Sequence, residues 1–309
     1  MQNRPFGRTG VSVSPLGFGG APIGFLETER SRVATLLNGL LDAGVNLIDT
    51  ATGYRGSEEF IADAIGARRD QFVLVSKCGN KVDGLDAEPW SPQLIAATVD
   101  RSLRRLRTDR LDVMLLHSCG RDVLERGEAL AALVKAREAG KIRHAGYSGD
   151  NEAAEYAATL PDVAVIETSV NVADQRNLDV VVPVCMAHNV GVLAKRPIAN
   201  AAWKDLDQQP GFYKGYAKTY TDRFAQMLAT GLDPNRLGFA GPRDWPEIAL
   251  RFTLSHPGVH CGIIGTTNPD NARANVAYAN KGPLPAAGVS AIRDAFKRAQ
   301  GGETWTGQT

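Results

Sequence analysis

The sequence is short of the features that tie a chain to a membrane, a nucleic acid or an oxidising compartment. Its four cysteines, Cys78, Cys119, Cys185 and Cys261, stand far apart, with no C-x-x-C pair and no histidine at ligand spacing. That pattern argues against a disulfide framework or a thiolate metal site and fits reduced, buried thiols in a cytoplasmic protein. The longest apolar run, residues 180–187, is well below the roughly 20 residues a membrane-crossing helix needs. The first residues, Met1-Gln-Asn-Arg-Pro-Phe-Gly, lack the apolar stretch of a signal peptide. An excess of one charge is missing too: the formal net charge is +1 and there is no basic block, so neither nucleic acid nor an anionic membrane is expected as a partner. The arginine-rich stretch 101–110 spaces its charges around Leu103 and Leu106 and reads as the wet face of a helix.

What the chain does have is apolar content, 43% of 309 residues, enough for a packed interior of α/β barrel size. After a hairpin expected at residues 2–14, turning at Gly7-Arg8-Thr9-Gly10, the pattern becomes short apolar strand, turn, amphipathic helix, repeated. The strand candidates are 16–18, 46–49, 72–76, 112–116, 144–148, 163–168, 191–195 and 262–264. Several are continuous apolar runs, as expected of parallel strands covered on both faces. Helices are expected at 30–43, with Val33, Leu36, Leu37, Leu40 and Leu41 on one stripe before Gly44, at 94–106, and at 124–139 before Gly140. Residues 200–244 break the rhythm. They offer no strand and carry Phe212, Tyr213, Tyr216, Tyr220 and Phe224, which reads as an excursion over one face after the seventh strand. One domain over residues 1–309 accounts for the whole pattern. The alternation alone allows a closed barrel or an open doubly wound sheet.

Polar residues close three consecutive strands: Asp49 after Leu47-Ile48, Lys77 after Val73-Leu74-Val75-Ser76, and His117 after Val113-Met114-Leu115-Leu116. In a barrel those ends meet on the face where active sites sit, and Tyr54 follows on the loop above Asp49. A phenol titrates near pH ~10. A neighbouring ammonium favours the phenolate, a carboxylate holds that ammonium, and a neutral imidazole can donate to a carbonyl oxygen. Together the four could protonate an alkoxide as it forms, the proton chemistry that accompanies hydride transfer to a carbonyl.

The segment Asn46-Leu-Ile-Asp49-Thr-Ala-Thr-Gly-Tyr54 resembles the aldo-keto reductase signature. So do Gly7-x-Thr9-Gly10, Ser76-Lys77, Leu115-Leu116-His117, Gly140-Lys141-Ile142-Arg143-x-x-Gly146-x-Ser148 and Ile264-Gly265 with Asn275, in the family's order. The resemblance implies a (β/α)8 TIM barrel with an N-terminal β-hairpin, and an NAD(P)H-dependent oxidoreductase acting on a small carbonyl or alcohol. It makes Tyr54 the general acid/base, tuned by Lys77, with Asp49 anchoring Lys77 and His117 placing the carbonyl.

For the cofactor it points to Gly20, Ser148, Glu167, Lys195, Arg196, Gly265, Thr266, Asn271 and Asn275, with NADP(H) expected first and NAD(H) second. Several positions depart from the family pattern. Glu167 stands where a glutamine is common, Lys195 where an aromatic is common, and Gly149 where an asparagine usually follows Ser148. Gly265 and Asn271 stand where NADPH-preferring members carry a lysine and an arginine for the 2′-phosphate. Arg273 is near. Lys195 and Arg196 could bind pyrophosphate or an acidic substrate, or pair with Glu167. Asn268 reads as a helix N-cap before Pro269, which would aim backbone amides at a phosphate. Trp90 and Trp203 are candidate pocket walls, and Asn171 could line the pocket or cap a turn. An NAD-dependent aldose dehydrogenase, a non-catalytic nicotinamide-binding regulatory subunit and a lyase using Lys77 as a Schiff-base amine stand as alternatives.

Overall fold

The computed structural model describes residues 1–26, 28–209 and 211–308; the side chains of Phe212 and Tyr216 lie outside the described set. Two short antiparallel strands, β1 (Arg4–Pro5) and β2 (Ser12–Val13), form the expected hairpin across the turn Gly7–Thr9. All eight further strand candidates are present: β3 (Leu16–Gly19), β4 (Leu47–Asp49), β5 (Val73–Cys78), β6 (Leu111–His117), β7 (Ile142–Ser148), β8 (Val163–Ser169), β9 (Gly191–Lys195) and β10 (Cys261–Ile264). They pair in parallel in chain order, and β10 returns to β3 to close the barrel. The open-sheet alternative is thereby removed, and the (β/α)8 barrel stands.

Side chains alternate in and out along a strand. The inward set includes Leu47, Val73, Val75, Val113, Leu115, Val165, Leu193, Cys261 and Ile263, which form one buried cluster with Phe6 and Val13 of the hairpin. The hairpin therefore caps the lower end of the barrel with its own apolar side chains. Continuing the same period of two upward, the inward positions become Asp49, Lys77, His117, Glu167 and Lys195. The register places Asp49 beside Val75, Lys77 beside Leu115, His117 beside Ser148, and Ser148 beside Glu167. At Gly146 any side chain would meet the Val165 carbonyl oxygen at 2.4 Å and Leu115 at 2.5 Å, so the β7–β8 contact requires glycine.

Outside the strands, the helix Arg30–Asp42 buries the predicted stripe from Val33 to Leu41, and Gly44 follows with φ +85°. The helix Pro92–Leu106 starts at the N-cap Ser91, which accepts from the Leu94 amide. Arg101 on that helix departs from the expected wet face: it is buried and donates to Thr52 Oγ1. The helix expected at 124–139 is in fact two, Arg121–Arg126 and Glu128–Glu138, divided at Gly127, whose φ of +76° no continuous helix can carry.

The excursion contains a long helix, Gly211–Ala229. Its Tyr220, Phe224 and Met227 form a second core with Trp245, Ile292 and Phe296, which joins the excursion to the last helix, Ala286–Gln300, and to Trp305 beyond it. Among the described residues no helix is long and apolar enough to cross a membrane. All four cysteines are free and buried.

Candidate active site

The upper ends of the strands open into a cavity of about 730 Å³, within the usual range for small-molecule and cofactor sites. Asp49, Lys77, Tyr54 and His117 all face it. Asp49 and Lys77 are buried, whereas Tyr54 and His117 are partly open to the cavity. The Lys77 ammonium donates to Asp49 Oδ1 at 2.5 Å, to Asp49 Oδ2 at 2.7 Å and to the Thr50 carbonyl at 3.1 Å. It also stands 5.5 Å from the centre of the Tyr54 ring. The Tyr54 and His117 rings meet edge to face, 6.1 Å between centres.

The electrostatics follow from burial and from this one cation. Burial disfavours the Lys77 ammonium, but Asp49 and then Glu167 more than offset it, and its pKa rises well above the usual lysine value. Burial pushes the Tyr54 phenol up to about 12, against the downward pull of Lys77. The expectation of a phenol lowered by its lysine neighbour is therefore reversed, because desolvation wins over the single charge. Burial, reinforced by Lys77, Lys195 and Arg196, depresses His117 to about 3, so the imidazole is neutral over the whole useful pH range.

Of the other expected residues, Ser148, Glu167, Lys195, Arg196, Gly265, Thr266 and Asn271 line the cavity. Glu167 does not pair with either neighbouring cation from β9 and its following loop. It lies 3.2 Å from Lys77 and accepts from Ser148 Oγ at 3.3 Å. Lys195 pairs instead with Asp150 at 2.9 Å, and Arg196 donates to Tyr220, Ser169 and the Gln308 carbonyl. Arg196 and Ser118, the residues just past β9 and β6, have φ of +55° and +68°, local backbone strain of the kind that collects at functional sites.

Gly20 and Asn275 are not in the cavity wall among the described residues. Gly20 packs under it: its amide donates to the Asp49 carbonyl at 2.7 Å, and a side chain there would meet Ser57 Oγ at 2.6 Å. Asn275 is buried within the helix Pro269–Asn280. That helix begins as expected, with the Asn268 side chain accepting from the Asp270 amide, while Thr266 and Thr267 face the cavity.

Trp90 packs over Gly79, Trp203 meets Phe224 edge to face with 6.2 Å between ring centres, and neither lines the cavity. Asn171 caps a turn by accepting from the Ala173 amide. Gly149 leaves room for the Tyr147 ring, whose hydroxyl would stand 2.4 Å from any side chain there.

The sequence did not point to Phe25, which lines the cavity 5.3 Å from the Tyr54 ring. It also did not point to Asp150 or to the tail residues 303–308. The tail crosses this rim of the barrel: Gly307 exchanges hydrogen bonds with Asn151, Ser169 donates to the Gln308 carbonyl, and Asp174 accepts from the Gln308 amide. An aromatic after Gly19-Gly20 was a signal for Phe25; nothing in the tail's composition announced its position.

Against known proteins, the model of the aldo/keto reductase family matches residues 15–297. The chain is similar to the oxidoreductase YqkF of Bacillus subtilis, with 28% identity over 96% of this chain and 97% of that one. It is similar to L-galactose dehydrogenase of Arabidopsis thaliana, with 30% identity over 90% and 88%. Among solved structures, the holo form of an aldo-keto reductase from Bacillus halodurans superposes with a TM-score of 0.80 at 26% identity, over 96% of each chain.

Proposed function

The chain belongs to the aldo/keto reductase family, and from that premise we propose a nicotinamide-dependent enzyme that interconverts a small carbonyl compound and its alcohol, with Tyr54 as the proton carrier. One observation carries the reading: Tyr54 has a charged Lys77 5.5 Å from its ring and meets a neutral His117 edge to face, in the wall of a cavity large enough for ligand. When bound, the nicotinamide supplies or takes up the hydride. The chain's own groups do the rest. With a pKa of about 12, the Tyr54 phenol keeps its proton until an alkoxide oxygen needs it. Lys77 then stabilises the phenolate left behind, Asp49 fixes the lysine, and His117 donates an N–H that orients the carbonyl oxygen.

The residues fit such a cofactor. Glu167 Oε2 faces the cavity as a buried acceptor without a hydrogen-bond partner, which suits a carboxamide N–H. Ser148 stands beside it, and Gly265, Thr266, Thr267 and Asn271 offer a neutral surface for the remainder. The cation-poor surface supports use of NAD(H) alongside NADP(H). The substrate class is aldehydes, ketones or aldoses, and similarity to a galactose dehydrogenase keeps the sugar within it. The strongly held charge on Lys77 speaks against the Schiff-base lyase, which needs a neutral amine. The enzyme is taken to be one domain over residues 1–309, working in the cytoplasm, where four free buried thiols are at home.

Replacing Tyr54 by Phe tests the assignment. Turnover of a carbonyl panel should fall on the order of 10²-fold or more, with cofactor affinity nearly unchanged. Wild-type turnover would remove Tyr54 from the role. Cofactor binding without turnover by the wild-type protein would favour the regulatory subunit.

A further inference from the structure

Lys77 is one ammonium between two carboxylates. An ammonium has three N–H donors, and here Asp49 Oδ1, Asp49 Oδ2 and the Thr50 carbonyl take all of them. Glu167 Oε2, 3.2 Å from Lys77 Nζ, feels the charge but receives no hydrogen bond. Its other oxygen accepts from Ser148 Oγ at 3.3 Å, and the Asp49 carboxyl lies against Glu167. Nearby cations are committed: Lys195 to Asp150 at 2.9 Å, and Arg196 to Tyr220, Ser169 and the tail. The trio Asp49, Lys77 and Glu167 sets two carboxyl groups against one ammonium inside a cavity where Glu167 is only 3% exposed, and burial, then Glu167, push the Asp49 carboxyl well above the usual carboxylate range. A buried carboxylate so poorly satisfied favours a cation placed against it.

We propose that Glu167 sets the redox preference of the pocket, stabilising the cationic oxidised nicotinamide ring over the neutral reduced one. The inference rests on the reading that this cavity takes a nicotinamide. A site that holds the oxidised ring more tightly makes the bound reduced cofactor a stronger hydride donor, because the positive charge that appears as hydride leaves is already compensated. Each tenfold difference in affinity lowers the potential of the bound couple by about 30 mV. Asp49 and Lys77 serve the proton; Glu167 serves the electron pair.

Fluorescence titration with the oxidised and the reduced form of one cofactor, NAD or NADP, tests this in the full-length protein. Glu167→Gln keeps the shape and removes the charge. The ratio Kd(oxidised)/Kd(reduced) should rise at least about 10-fold, the scale expected for one charge a few ångströms away at an effective dielectric of about 20. Glu167→Asp, which keeps the charge, should hold the ratio nearer to wild type than to Glu167→Gln. An unchanged or lower ratio in Glu167→Gln, with both forms still bound, overturns the role of Glu167 and leaves the nicotinamide reading standing. Failure of the wild-type protein to bind either form overturns both.

Discussion

At Gly265 a Cβ would stand 2.5 Å from the Pro22 ring and 2.6 Å from the Gly19 carbonyl oxygen. A lysine for a 2′-phosphate cannot be seated there unless Pro22 moves, so the missing cation has a steric cause as well as a sequence one. Arg273, the one cation between residues 265 and 275, is exposed and paired with Asp270. Each charge-assisted contact to a phosphate contributes about 1.5–3 kcal/mol. Without two of them, the preference for NADPH over NADH should be within about tenfold and should shrink as salt rises. Dissociation constants for both at two ionic strengths decide it; a large, salt-resistant preference for NADPH would show that cations reach the phosphate from elsewhere. Gly265→Lys should cost on the order of 1–3 kcal/mol through overpacking against Pro22, read as a lower urea midpoint. At this scale the sequence was informative for the tetrad, because the residues that close apolar strands stand out. It was misleading about an ion pair between Glu167 and Lys195 or Arg196, because Lys195 goes to Asp150, Arg196 to Tyr220 and Glu167 to Lys77, all from other segments.

Among the elements, the tail after the last helix shows how far a short segment can reach. Residues 303–308 are held by Asn151, Ser169, Asp174, Arg196 and Arg223, and Asp174 is the buried junction, accepting from both the Gln308 amide and the Tyr220 hydroxyl. Burial, then Asp150, raises Asp174 to about 6, against the pull of Arg223, Tyr220 and the Gln308 amide. The unfolded carboxyl loses its proton near pH ~4. Between there and about 6 the folded protein binds the extra proton at Asp174, so the contribution of this group to stability falls as pH rises through that window, while His117 and His256, depressed to about 3 and about 4, contribute in the opposite direction. This contribution should be on the order of 2–3 kcal/mol, read as the change between pH 4.5 and 7 in the difference in urea-unfolding free energy between wild type and Asp174→Asn. A difference between wild type and Asp174→Asn that fails to shrink from pH 4.5 to 7 would contradict the junction's role. Neither the tail's path nor the Gly127 break was legible in sequence. The tail is fixed by polar contacts 83 to 156 residues away in the chain, and a lone glycine inside an apolar stripe does not announce a positive φ.

For the whole molecule, the barrel divides its work between two ends. The lower end is sealed by Phe6 and Val13 against Leu47, Val113 and Leu193, while Asp49, Lys77, Glu167 and Lys195 gather at the cavity of the upper one. Phe6→Ala should therefore cost about 3–5 kcal/mol in unfolding free energy and leave the Kd for cofactor unchanged, measured by urea titration and by fluorescence. A shift in Kd as large as the stability loss would mean that the two ends are coupled. The strand order was legible because eight apolar runs alternate with helical stripes; closure into a ring needed the motif resemblance, since periodicity does not record which edges meet. The alternation that sends Leu47 and Asp49, Val75 and Lys77, Leu115 and His117 to the same side gives this barrel something like a reading frame. Deleting one residue within β4, β5 or β6 would turn the apolar filling outward and, on that strand, carry Asp49, Lys77 or His117 away from the cavity with it. Insertions in the connecting loops leave the frame intact. Variation in length is thus confined to the rim, and a strand of this barrel can change its letters but not its count.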